Sequence, residues 1–99
     1  MAAKTFAMNQ DRAIVTGLQA LSHLAADQDL FGTFLDQAGT DAADVKARAT
    51  DPGFLGFVLD FILQDDSRVI AFAGVAAIAP EDVVQARYAL PGGDSPEWT

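Results

Sequence analysis

The chain is predicted to fold as an all-α protein, a compact bundle of five or six short helices, arranged either as a single bundle or as two stacked three-helix units. Three observations point there. Apolar residues recur three and four apart along most of the chain, segments open on Asn, Asp or proline and stop at glycine, and the chain echoes itself at an offset of 38 residues. With 99 residues, 51% of them apolar, the chain suits one domain with one core, since two would each stand near the lower limit for independent folding.

The first helix opens at Asn9, a good N-cap, and runs to about Ala26 with Ile14, Leu18, Leu21 and Ala25 as its apolar stripe. Asp27 caps the second, in which Leu30, Phe31, Phe34, Leu35 and Ala38 face inward until Gly39 supplies a left-handed stop. Thr40 or Asp41 opens the third, which turns Val45 and Ala49 inward. Its Asp44 and Arg48 stand one turn apart, a pairing worth about 0.3 kcal/mol.

Asp51-Pro52 restarts the chain with an N-cap followed by proline at the first helical position, where its missing N–H costs nothing. The fourth helix, Pro52 to Gln64, is apolar on nearly every side apart from Asp60, which marks it as the central helix. Asp65 or Asp66 caps the fifth, carrying Val69, Phe72, Ala73 and Ala76, with Gly74 and the alanines expected to admit a close neighbour. Pro80-Glu81-Asp82 opens the sixth, which sets Val83, Arg87 and Leu90 along one side until the Pro- and Gly-rich run from Pro91 ends it. The expected organisation is therefore a partly disordered segment over 1–8, a helical domain over 9–90 and a flexible tail over 91–99. The expected core comprises Phe34, Phe54, Leu55, Val58, Phe61, Ile62, Val69 and Phe72.

The echo brings Leu21, Asp27, Phe34, Ala38, Asp44 and Val45 onto Leu59, Asp65, Phe72, Ala76, Asp82 and Val83. A duplicated three-helix unit explains it, and so does the small set of residues from which any amphipathic helix draws its caps and core.

Fourteen acids against six bases, a net charge of −8, disfavour nucleic acid and anionic membrane surfaces as partners. The longest apolar stretch is cut by Asp60 and by the run from Gln64 to Arg68 into pieces of about 18 Å at most as helix, against about 30 Å of hydrocarbon. The first eight residues make a poor secretory signal, so a cytoplasmic product is expected. The absence of cysteine excludes disulfides, thiolate chemistry and cysteine-ligated zinc or iron–sulfur centres.

No reactive constellation emerges from the remaining residues. The run from Asp27 starts like a calcium loop but has Phe31 at its fifth position and Ala38 at its twelfth, where a bidentate glutamate is needed. The single histidine, His23, is expected on the surface of the first helix, and no serine sits in a nucleophile turn. No catalytic, cofactor-binding or metal-binding residue is therefore assigned. Four residues are candidates for interaction. Phe6 and Met8 either fold back on the bundle or present an adhesive end, and Trp98 is a terminal aromatic. The stem of Arg68 is expected to cover core while its head pairs with Asp65 or Asp60 or receives a ligand carboxylate.

Asp51-Pro52-Gly53-Phe54-Leu55, Val58-Leu59-Asp60-Phe61, Asp65-Asp66, Phe72, and then Pro80-Glu81-Asp82-Val83 with Ala86-Arg87 form a combination in which each piece is weak and the whole is fairly specific. Over residues 10–92 the chain resembles a family of all-helical bacterial proteins of about this length, described as a domain of unknown function. The resemblance implies an all-helical cytoplasmic protein and carries no activity, cofactor or functional residue onto these positions. The residues themselves favour a non-enzymatic module that binds an unidentified protein partner or associates with itself. The alternative is a small-molecule binder or weak hydrolase using surface carboxylates and Arg68.

Overall fold

The computed structural model describes residues 8–91, and within them the chain forms six helices: α1 (Gln10–Ala25), α2 (Gln28–Ala38), α3 (Ala42–Arg48), α4 (Pro52–Leu63), α5 (Asp66–Ala76) and α6 (Pro80–Ala89). The acids and Asn9 act where local chemistry places them. Asn9 accepts from the Arg12 N–H at 2.7 Å, Asp27 from Leu30 at 3.2 Å, Asp41 from Asp44 at 2.9 Å, Asp51 from Phe54 at 3.2 Å and Asp65 from Ser67 at 2.8 Å. Each bond satisfies a first-turn N–H that the helix itself cannot, and removing such a cap costs about 1 kcal/mol. Only α6 lacks a capping side chain at its N-cap, Ala79. There Asp82 reaches back to accept from the Ala79 N–H at 3.1 Å.

Gly39 ends α2 at φ 68°, the left-handed conformation that glycine adopts without strain. Ala77 ends α5 in the same region, at φ 60°, although it carries a Cβ.

All eight residues expected in the core are buried, with Phe34, Leu55, Val58, Ile62 and Phe72 almost fully enclosed. Seven of the twelve residues of α4 are buried, so this helix is central as expected. Helix α1 packs along α4 and α6, α6 also lies on α4, and α5 touches all three. Helix α2 is held to α1 and sends Phe34 into a cluster of rings. Its centroid lies 5.3 Å from Phe61, 5.8 Å from Phe57 and 6.1 Å from Phe54, distances typical of attractive edge and tilted pairs. Helix α3 stands at the periphery and contributes Val45 to the core.

Two expectations about faces are corrected. The buried side of α1 is Ala13, Thr16, Gly17, Ala20, Leu21 and Leu24, whereas Ile14 and Leu18 are half-buried and Ala25 is exposed. The hydropathy stripe is therefore turned about one residue from the true inner face. The physical reason is close approach: a Cβ at Gly17 would stand 2.9 Å from the Cβ of Leu55, so α1 meets α4 through small residues at this level, and Ile14 and Leu18 are left on the flanks. Thr16, the one buried polar side chain among the described residues, returns its hydroxyl to the Arg12 carbonyl at 3.0 Å. The close approach expected at Gly74 does not occur, since a Cβ there would meet nothing within 4 Å.

The 38-residue echo survives as a pattern of burial and capping. Leu21 and Leu59, Phe34 and Phe72, and Val45 and Val83 are buried pairs, and Asp27 and Asp65 are both N-caps. The two trios do not pack alike, because α6 lies on α1 and α4 while α3 makes no comparable helix–helix face.

Candidate functional site

Turning α1 onto its small-residue face leaves Val15 and Leu18 on the side that looks toward α5. Together with Phe72, Val75 and Ala76 of α5 they line an apolar groove of about 550 Å³, with Gln19, Ser22, His23 and Ala26 completing the α1 wall. Val75 remains 74% exposed and Val15 53%, so two branched apolar side chains stand at its lips in water. His23 is corrected from a surface residue to a half-buried one whose ring packs at a tilt, 5.6 Å from that of Phe72. No Asp, Glu, Lys or Arg lines the groove.

A second hollow, of about 420 Å³, lies where the α2–α3 turn meets the start of α4. It is lined by Thr40, Asp44, Arg48, Asp51, Phe54 and Phe57 among others. The Asp44 carboxylate accepts from the Thr40 hydroxyl and from the Arg48 Nε at 3.1 Å. The Thr40 hydrogen bond and the neighbouring guanidinium hold its pKa below the ordinary carboxylate value, so it is ionised at neutral pH and a poor proton acceptor. Asp51 is committed to the Phe54 N–H. Two carboxylates share this hollow, and each is engaged in local structure.

Arg68 lines neither hollow, and its expected pairing with Asp65 or Asp60 is corrected. Its guanidinium lies 4.0 Å from the centroid of the Phe61 ring and donates through Nη1 to the Phe61 carbonyl at 3.0 Å. That carbonyl belongs to the last turn of α4, where it also accepts from the Gln64 N–H at 3.3 Å and where a cation is favoured. Asp60 is taken instead by Arg87, through bonds of 2.5 and 3.0 Å. Arg87, its side chain only 14% exposed, thus ties α6 to α4 and also donates to the Pro91 carbonyl at 3.1 Å. It lies over Gly56, where a Cβ would come within 2.7 Å of its Nη1.

Met8 is half-buried against the core, while Phe6 and Trp98 lie outside the described residues. Among the described residues no group of three His, Asp or Glu side chains converges as a metal-binding set, and no single helix is long and apolar enough to cross a membrane. Sequence reasoning missed the lips of the groove, Val15 and Val75. Their signal was an apolar residue one position off the apparent stripe of α1 and another on the far side of α5 from Val69, legible only once the inner faces are known.

These features define a class: an all-helical protein, with six helices among the described residues, whose N-cap side chains and Arg87 cap and bridge helices and which carries an apolar groove between the first and fifth. Residues 10–93 match the pattern of a family described as protein of unknown function DUF3572, and the chain belongs to that family. No curated protein and no solved structure matches it.

Proposed function

We propose that this chain is a non-enzymatic interaction module of the bacterial cytoplasm, and that its α1–α5 groove receives an apolar helical segment of another protein. The observation that carries this reading is the exposure of Val75 and Val15 at the lips of an apolar groove that no Asp, Glu, Lys or Arg lines. A groove between two helices suits an amphipathic helix, which lays apolar residues three and four apart into it.

The test compares Val75→Glu with Ile70→Glu, both on α5 and both exposed in the native chain, Ile70 lying outside the groove. Each variant should keep the helical circular dichroism and melting temperature of the parent. A protein captured from cell extract by the parent and by Ile70→Glu, lost with Val75→Glu, and shown to bind directly when purified is the expected result. Identical capture by all three chains overturns the proposal.

A further inference from the structure

The groove selects its occupant by length and by charge. Resting on the interaction proposed above, we infer that the helix it takes is about three turns long in contact, carries Lys or Arg at one end, and is not a second copy of this chain. The length follows from the α1 wall. Val15 and Ala26 are eleven residues apart, about 16 Å of helix, which matches three turns of a partner lying alongside.

The charge follows from where the acids stand. Twelve acids and five bases occupy the described residues, and three of those bases are engaged within the fold: Arg48 by Asp44, Arg68 by the end of α4 and Arg87 by Asp60. The groove itself carries no formal acid or base, so it neither offers nor needs an ion pair along its length. Along the α1 wall its two ends differ. At the Val15 end Asp11 is followed by Arg12, and the two offset each other. At the Ala26 end Asp27 and Asp29 follow directly, both exposed, with no base in the α1–α2 turn.

Asp27 also caps α2, so its carboxylate is held at this end of the groove by the Leu30 N–H. An apolar helix with cations at the end lying over Ala26 meets apolar surface along its length and opposite charge at its tip. A second copy of the chain brings another net charge of −8 to the same surface, which repels.

The probe is a displayed library of random peptides roughly 15 residues long, about four turns of helix and enough to cover the groove. It is selected on the parent chain, and the binders are re-measured on Val75→Glu and on a chain carrying both Asp27→Asn and Asp29→Asn. Asparagine keeps the cap while removing the charge. The expected binders are amphipathic helices with Lys or Arg clustered at one end. They fail on Val75→Glu, bind the double Asn variant about three- to tenfold more weakly, and lose that difference as salt is raised.

Binders that depend on Val75 but show no excess of cations, or that ignore the Asn pair, overturn the charge inference and leave the interaction module standing. A library with no binder sensitive to Val75 overturns both. A dimer seen by light scattering and dispersed by Val75→Glu makes a second copy the occupant and overturns the inference in that way.

Discussion

Replacing Gly17 by alanine pits two opposing effects against each other, and the structure says which wins. In a helix interior, Gly→Ala stabilises by about 0.5–1 kcal/mol, because the unfolded chain loses freedom and the helix gains propensity. At Gly32, in the middle of α2, an added Cβ meets nothing within 4 Å, so the whole of that gain should appear. At Gly17 the same Cβ comes to 2.9 Å from the Cβ of Leu55. Carbon atoms pack at about 3.5–4.0 Å, so α1 and α4 must part by roughly 0.6–1 Å. No rotamer change of Leu55 relieves the clash, because its Cβ is bonded directly to the backbone.

Overpacking of this kind costs about 1–3 kcal/mol, which exceeds the propensity gain. Gly17→Ala should therefore destabilise by up to about 2 kcal/mol, and the two variants should differ by about 1–3 kcal/mol in opposite directions from the parent. Urea and thermal unfolding followed by far-ultraviolet circular dichroism measure this directly. For a chain of this size each kcal/mol moves the melting temperature by about 4–8 °C. Equal stabilisation by the two substitutions would refute the close α1–α4 contact, and with it the account of why Val15 and Leu18 are turned toward α5.

Three further outcomes are expected. Asp60→Asn leaves the largely buried Arg87 guanidinium without its carboxylate and should cost about 1–2 kcal/mol; Gly56→Ala, which displaces the same guanidinium, should add little on top of it in a double-mutant cycle. Full additivity would show that Arg87 is not seated by both. Ala77→Gly relieves a left-handed conformation at a cost in unfolded-chain freedom, for a net gain of about 0.5 kcal/mol, and a loss of stability in urea melts would contradict it. Asp44 has a folded pKa below its ordinary 3.8, chiefly through the Thr40 hydroxyl, so its contribution to stability is present above 3.8 and is lost as pH falls through the lowered value. An NMR titration should place its midpoint below 3.8 and move it upward in Thr40→Val, and an unmoved midpoint would rule out that hydrogen bond as the cause.

Capping accounts for much of what could be read in advance. Of the twelve acids among the described residues, ten are N-caps or lie in first turns, so the strong negative charge is largely a by-product of starting six helices. The same fact bears on why the acids among the described residues converge on no metal-binding set: each of these ten serves the nearest backbone N–H or the dipole of its own helix. The arginines were harder to place. Arg68 and Arg87 each reach across to another helix, and the choice between Asp60, Asp65 and a helix-end carbonyl depends on distances that residue spacing does not contain.

Helix boundaries were legible because the signals that set them are local. A cap acts two or three residues away, Pro52 and Pro80 need only their own missing N–H, and Gly39 needs only its own φ. The phase of α1 was not legible. Hydropathy ranks Ile14 and Leu18 above Ala13, Gly17 and Ala20, but burial follows the distance at which two backbones can pack, and the small residues allow the closer approach to Leu55. That single rotation is a property of the assembled helices rather than of any one of them. It sets Val15 and Leu18 opposite Val75, and so creates the groove on which the proposed function stands.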